Sequence, residues 1–101
     1  MRFQRNILME KRIGIVGIII EDFSQIDSVS FIIHQFQEFI LARQGLNLKE
    51  ENIRIISLIM EADTDQFGSF TGKLGRLKGV KVKSILSTKR EDTDDKQFNR
   101  S

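Results

Sequence analysis

The apolar positions of the chain group into four short runs with the character of β-strands. Residues 13–20 are a β-branched run, too short for most helices, that ends at Glu21 and Asp22 and predicts a buried strand. Residues 53–60 repeat this composition, and residues 39–48, which lack a helical period, are joined to them by a polar turn over 47–52. Residues 80–86 begin as alternating valine and lysine, which is typical of an edge strand.

Two stretches between these strands have the spacing of amphipathic helices. Ser24, with Asp27 three residues later, predicts the N-cap of a helix over residues 25–38. Asp63 and the residues after it open a second helix, which Gly79 ends. The element order β-α-β-β-α-β predicts the ferredoxin-like α+β fold, in which two helices cover one face of a four-stranded antiparallel sheet.

Both faces of the first and third predicted strands are apolar. Strand side chains alternate between the two faces of a sheet, and branched aliphatic residues occupy both sets of positions. Two helices cover only one face, and a contiguous exposed apolar face usually marks an interface. We therefore expect a homo-oligomer, either a homodimer or a homotetramer, with Ile18, Ile20, Ile56 and Leu58 at the subunit contact. The alternative is that the N-terminal arm or the tail covers the second face.

Composition defines the domain and its surroundings. Residues 1–10 lack periodicity and are expected to be a flexible arm, residues 11–87 form the domain, and the charged residues 88–101 are expected to be disordered. The chain has no cysteine, so nothing requires an oxidising compartment. No apolar run approaches the length of a membrane span. The expected location is the cytoplasm, without membrane contact.

Side chains that could carry catalysis or hold a metal are sparse. His34, the one histidine, shares a helix flank with Asp27 and Glu38. A surface pair of His34 with Glu38 is the favoured interpretation, and a metal site completed across an oligomer axis is the alternative. Residues 68–75 lack the spacing and the Ser/Thr of a P-loop, and one histidine without cysteine supports no nucleophilic triad. We expect no catalytic residue, no bound metal and no cofactor.

Three glycines of the second predicted helix, Gly68, Gly72 and Gly75, form a stripe opposite its apolar residues. Each glycine costs a helix interior about 0.5–1 kcal/mol relative to alanine, so a compensating contact is expected. Three kinds of contact are open: close packing on the first helix, a subunit contact, or a cleft for a small molecule.

Several segments together resemble the iron-only hydrogenase system regulator family. They are Arg12-Ile13-Gly14 through Glu21-Asp22, the internal Arg43-Gln44-Gly45, and Gly68-x-x-x-Gly72-Lys73-Leu74-Gly75 followed by Gly79 and residues 80–83. That family is similar to ACT domains and to the ligand-sensing domain of the nickel-responsive repressor, both ferredoxin-like and both oligomeric through their sheets. The resemblance implies a non-enzymatic regulatory module that is associated with the hydrogenase system and senses an unidentified small ligand.

The resemblance also implies where such a ligand would bind. ACT-type sites lie between subunits near the first strand-to-helix loop, which would form one wall, and the glycine stripe would form another, with two basic side chains as anion anchors. The expected residues are Asp22, Phe23, Ser24, Arg43, Gly68, Gly72, Lys73 and Gly75. The nickel repressor chelates its metal through several histidines and a cysteine, so nickel sensing of that kind is not expected here.

Nucleic-acid binding is the alternative function. The nickel repressor contacts DNA through a separate N-terminal ribbon-helix-helix, and the residues before the first strand are too few to form one, so direct DNA binding by that route is not expected. The segment 73–83, however, contains five basic residues with no acid between them, a pattern that can meet phosphate. These residues are Lys73, Arg76, Lys78, Lys81 and Lys83.

Overall fold

Strands and helices occupy most of the segment that the computed structural model describes, residues 10–87. In chain order they are β1 (Arg12–Ile20), α1 (Ile26–Gln35), β2 (Ile40–Leu48), β3 (Ile53–Ala62), α2 (Thr64–Gly75) and β4 (Val80–Leu86). Single turns of 3-10 helix precede α1 and β2 and join β2 to β3; they span Phe23–Gln25, Gln37–Phe39 and Lys49–Glu51. The expected tail, and the expected arm except residue 10, lie outside the described residues.

The strands form one antiparallel sheet in the order β2, β3, β1, β4, so that β2 and β4 are its edges. Gly17 of β1 lies at the centre, opposite Ser57 of β3 on one side and Lys83 of β4 on the other. The pairing of β2 with β3 has one irregularity, between Ile40 and Ala42. The strand order and the two helices confirm the predicted ferredoxin-like α+β fold.

The start of α2 is fixed by a capping box. The Asp63 carboxylate accepts a hydrogen bond from the Gln66 backbone N–H at 2.7 Å, and the Gln66 side-chain carbonyl accepts one from the Asp63 backbone N–H at 3.0 Å. Each bond satisfies an N–H group that the first turn of a helix leaves without a partner. The sequence prediction that Asp63 opens this helix is therefore confirmed.

The start of α1 differs from the prediction. Asp22, rather than Ser24, caps this end: its side chain accepts from the Ser24 backbone N–H and closes the 3-10 turn Phe23–Gln25. The α-helix begins at Ile26, and its N-cap residue Gln25 makes no side-chain capping bond. Both Asp22 and Ser24 are good capping residues, and the local sequence does not distinguish between them.

The core lies between the two helices and one face of the sheet. Phe36, at the end of α1, packs on Phe70 of α2 with ring centroids 4.9 Å apart, so the helices contact each other as well as the sheet. The buried apolar residues are Val16, Ile18, Ile20, Val29, Ile32, Ile33, Ile56, Leu58, Met60, Ala62, Phe67, Phe70, Leu74 and Val80.

The four side chains that sequence analysis assigned to a subunit contact belong to this core. Ile18 and Ile20 are 0% exposed, Leu58 is 1% exposed and Ile56 is 5% exposed. A side chain enclosed between the helices and the sheet of its own chain has no surface to offer a second copy. These four residues are therefore corrected from interface to core, and the uncovered face is the opposite one.

Gly14 explains how α2 reaches the sheet on this side. A Cβ atom placed on Gly14 would lie 2.9 Å from Phe67 Cζ and 2.5 Å from Leu86 Cδ2, closer than side-chain atoms pack. The absent side chain thus makes room for the Phe67 ring. Gly79, between α2 and β4, has a φ angle of +78°, a backbone conformation that residues other than glycine rarely adopt.

Candidate functional site

The face of the sheet away from the helices, here called the open face, is rich in isoleucine. Ile13 and Ile15 of β1 are 45% and 51% exposed, Ile59 of β3 is 41% exposed, and Ile85 of β4 is 72% exposed. The apolar residues of the open face are Ile13, Ile15, Ile19, Ala42, Leu46, Leu48, Ile53, Ile55, Ile59 and Ile85. A contiguous apolar area of this kind on a domain usually marks an interaction surface.

The strand register arranges the open face in rows that run across the sheet. One row is apolar throughout and contains Ala42, Ile59, Ile15 and Ile85. The next row contains Gln44, Ser57, Gly17 and Lys83. The third contains Leu46, Ile55, Ile19 and Lys81. Adjacent rows are about 6.5–7 Å apart, since they are two residues apart along each strand.

The middle row forms a trough between two ridges. A Cβ atom on Gly17 would have no atom of residues 10–87 within 4 Å, so the floor of the trough is open there. Shallow depressions lie on both sides of Ser57: one reaches Ala42 and Ile59, and the other reaches Leu46 and Ile55. A row of branched side chains from another molecule could enter this trough. The open face is therefore both apolar and shaped, with two ridges on either side of a trough.

The loop between β1 and α1 holds the first group of predicted ligand residues, Asp22, Phe23 and Ser24. One oxygen of Asp22 accepts from the Ser24 hydroxyl at 2.7 Å and from the Ser24 backbone N–H at 3.0 Å. These two hydrogen bonds, with a smaller contribution from the charge of Lys78, lower the pKa of Asp22 below its ordinary value. The Glu21 backbone N–H donates to the Gly79 carbonyl at 2.7 Å, which anchors the loop to the start of β4.

Two of the three glycines of the α2 stripe face away from the other elements, and the third faces β4. Among residues 10–87, a Cβ atom on Gly68 or Gly72 would have no atom within 4 Å, and one on Gly75 would lie 3.7 Å from Val82 Cγ1 of β4. Close packing of the stripe on α1, one of the three alternatives, is therefore wrong. Lys73 lies on the same exposed part of α2. A subunit contact and a ligand cleft stay predictions for these residues.

Arg43, the other predicted anion anchor, lies on β2 and not beside Lys73. It points to the helix side of the sheet, where it lines a depression together with Gly45, Asn47, Arg54 and Ile56. Sequence analysis did not single out Arg54. A signal was present, because Arg54 lies on the same face of β3 as the buried residues Ile56 and Leu58. A charged residue on that face indicates that the helices no longer cover the sheet there.

His34 lies in a neighbouring depression with Ser30, Gln37, Ile40 and Arg43, and neither of its predicted companions, Asp27 and Glu38, lines that depression. Across residues 10–87, no three His, Cys, Asp or Glu side chains come together as a metal site would require. The described part of the chain also has no helix that is both long enough and apolar enough to cross a membrane.

The basic segment 73–83 is divided between two sides of the protein. Lys73, on α2, and Arg76, the residue after it, are exposed on the helix side, whereas Lys81 and Lys83 project from the open face, where Lys81 Nζ lies 3.6 Å from Glu21 Oε2. The two groups of basic side chains therefore do not form one continuous basic surface. The geometry therefore does not favour this segment as a nucleic-acid interface.

Comparisons with known proteins agree with the sequence resemblance. The family model TM1266-like, described as iron-only hydrogenase system regulator, matches residues 12–84. The solved structure of TM1266 from Thermotoga maritima, an uncharacterized protein, is 38% identical, with a TM-score of 0.75 over 78% of this chain and 100% of that one. No curated protein matches the chain.

More distant solved structures support the fold alone. The ACT domain of GTP pyrophosphokinase from Chlorobium tepidum is 19% identical, with a TM-score of 0.56 over 82% of this chain and 94% of that domain. A formyltetrahydrofolate deformylase from Pseudomonas putida KT2440 is 9% identical, with a TM-score of 0.53 over 72% of this chain and 28% of that enzyme. The likeness to the ACT domain confirms an ACT-like fold.

Proposed function

The chain belongs to the TM1266-like family of iron-only hydrogenase system regulators, and we propose that it is a non-enzymatic, ACT-like regulatory module of the cytoplasm. It works as a homo-oligomer that binds a small ligand and transmits the binding through its subunit contacts. The regulatory role is supported by the family description and by the ACT-like fold. The homo-oligomer is supported by the open face.

The open face is the observation that carries this proposal. Complete burial of one isoleucine side chain contributes about 1.5–3 kcal/mol. Ile13, Ile15, Ile59 and Ile85 are 41–72% exposed, so their burial would contribute roughly 3–6 kcal/mol per subunit. The free energy gained by burying two such faces is similar to the cost of lost rotation and translation on association, which is about 4–15 kcal/mol. Small changes in this face can therefore shift the equilibrium between monomer and oligomer.

Two copies of the open face are complementary in shape. The apolar ridge that contains Ile15 and Ile59 would enter the trough over Gly17 and Ser57 of a second copy, and a two-fold axis makes this contact reciprocal. The lysines of β4 lie at one end of the rows, so their charged groups can stay in water at the rim of the contact. This arrangement supports a face-to-face dimer as the basic unit.

A route from ligand to assembly follows from β1. This strand carries Ile13, Ile15 and Ile19 on the open face and runs into the loop that holds Asp22 and Ser24. A ligand that binds the loop and shifts the end of β1 would alter the interface directly. The coupling is reciprocal, so assembly would in turn change the affinity for the ligand.

Native mass spectrometry of the purified full chain tests this proposal. We expect an even number of subunits, and additional mass wherever a small molecule is retained. A purely monomeric protein at all accessible concentrations would contradict the homo-oligomer. Measurement after gentle unfolding of the same sample separates a bound molecule from a covalent modification, because only the former is released.

A further inference from the structure

We propose that the helix side of β2 carries a binding site for a small organic anion with carboxylate or phosphate groups. The site, here called the basic groove, is lined by Arg43, Gly45, Leu46 and Asn47 of β2 and by Arg54 and Ile56 of β3. It extends the proposed regulatory function, on which it rests, by adding a ligand site apart from the loop between β1 and α1 and by naming the chemical class of its ligand. It lies on the opposite side of the sheet from the open face.

The groove exists because the helical cover ends before the end of the sheet. Arg43, Gly45 and Asn47 point to the helix side, opposite Leu58, Ile56 and Arg54 respectively. Leu58 and Ile56 are buried, but Arg43, Gly45 and Asn47 are exposed, so the edge strand is left bare where its neighbour is covered. The nearest atom to a Cβ on Gly45 would be the Ile55 carbonyl oxygen at 3.9 Å. The groove therefore has a low floor of backbone and Ile56.

The charge of the groove is uncompensated. Two guanidinium groups line it, and no aspartate or glutamate of the described segment does. Within residues 10–87, neither Arg43 nor Arg54 forms an ion pair. Arginine presents its donors in a planar fork that matches carboxylate and phosphate oxygens, and a bidentate pair of this kind is among the stronger hydrogen-bonded contacts. An anion is the partner that this arrangement lacks.

The spacing of the two arginines limits the size of the ligand. Arg54 lies opposite Asn47, four residues beyond Arg43 on β2, so the two arginines enter about 13 Å apart along the strands. Both side chains line the same depression and approach it from opposite ends, with Gly45 between them. The space between suits a molecule of a few carbon atoms with an anionic group at one or both ends, and Asn47 offers an amide to a further polar group.

The neighbouring depression extends the groove with hydrogen-bonding groups. Arg43 also lines this second depression, together with Ser30, His34, Gln37 and Ile40. Arg43 therefore stands between the two depressions and can contact a ligand in either. The polar side chains at this end, which α1 and the turn after it supply, would favour a ligand with hydroxyl or carbonyl groups in addition to its charge.

Titration of the isotopically labelled full chain, followed by amide NMR spectra, tests the groove. Succinate and inorganic phosphate are the probes at constant ionic strength, so that carboxylate and phosphate recognition are separated, and sodium chloride is the blank. We expect saturable shifts at Gly45, Asn47 and Arg54 with at least one probe. The absence of saturable shifts with both probes would overturn the proposal.

Variants show whether the arginines are responsible. We expect Arg43→Ala and Arg54→Ala each to weaken binding about tenfold or more, and Arg43→Lys to weaken it less, since it keeps the charge and loses the fork. Arg76→Ala, which removes an exposed arginine of the basic segment, is the matched control and should bind as the native chain does. Equal loss in Arg76→Ala, or unchanged binding in both groove variants, would overturn the site. Because Arg54 is half-buried, Arg54→Lys repeats the test with its charge kept if Arg54→Ala does not fold.

Sedimentation of the same samples separates this inference from the proposed function. Anion binding by a monomeric chain would contradict the proposed homo-oligomer and support the basic groove. An oligomer that binds no anion would contradict the basic groove and support the proposed assembly.

Discussion

Gly17 of β1 lies directly opposite Ser57 of β3, at the centre of the open face and between two rows of branched aliphatic side chains. Strands that pack against a core usually place bulky residues at such a central position. Here a glycine and a serine meet, and a trough results. The pair is therefore the feature that distinguishes a surface shaped for a partner from one that is only apolar.

Filling the trough should weaken association without damage to the fold. A Cβ atom at Gly17 meets nothing within 4 Å in the described part of the subunit, and valine suits a strand better than glycine does. We expect Gly17→Val to unfold at the same urea concentration as the native chain, or at a higher one, and to dissociate at least about tenfold more readily, a change of about 1.4 kcal/mol. Sedimentation velocity over a series of dilutions measures this change. If Gly17→Val dissociates at the same concentration as the native chain, the trough is not part of the contact.

Two glycines of the same strand should respond in opposite directions to alanine. The added Cβ at Gly14 would meet Phe67 and Leu86, so we expect Gly14→Ala to lower the free energy of unfolding by about 1–3 kcal/mol, as overpacked cores do. Gly17→Ala has open space and should be neutral or raise the free energy by about 0.4–1 kcal/mol. Urea denaturation of both variants below the dissociation concentration measures this contrast. Equal effects would contradict the placement of the helices.

The hydrogen bonds of Asp22 predict a pH dependence that Ser24 controls. The pKa of Asp22 is lowered from its ordinary value of 3.8, with the Ser24 hydroxyl as the largest cause. A carboxyl group whose pKa is lower in the folded chain stabilises the fold above its unfolded pKa, and this stabilisation is lost as pH falls through the folded value. We expect Ser24→Ala to raise the pKa of Asp22 in an NMR titration and to reduce the loss of stability below pH 3.8. An unchanged pKa would show that the hydroxyl contact is absent in solution.

The order of strands and helices could be predicted from the sequence because the helices have amphipathic spacing and the strands are short apolar runs bounded by polar residues. The covered face could not, since β1 and β3 are apolar on both sides and their pattern gives no contrast. The decisive information lies elsewhere: Lys81 and Lys83 of β4 need water, and the register places them on the open face. That register is a long-range property, which the spacing of residues within one strand does not contain.

The candidate sites were predicted unevenly for similar reasons. Helical spacing correctly places Gly68 and Gly72 on the side of α2 away from the core, but it cannot tell whether anything covers them. The sequence predicts Arg43 as an anion anchor together with Lys73. In the structure, the basic residue that shares the groove with Arg43 is Arg54, which β3 places there beside β2. Residues that are distant in sequence meet through the strand register, and only the structure reveals that pairing.

The most direct test of the central claim, that the open face joins the subunits, is sedimentation velocity of Ile15→Lys beside a matched control. Ile15 lies in the apolar row of the open face and is 51% exposed, whereas Phe31 lies on the outer side of α1 and is 63% exposed. Each substitution replaces an exposed apolar side chain with lysine, and neither removes a core contact. We predict that the native chain and Phe31→Lys sediment as oligomers and that Ile15→Lys sediments as a folded monomer. An Ile15→Lys protein that assembles as the native chain does, or a native chain that is monomeric, would contradict the account.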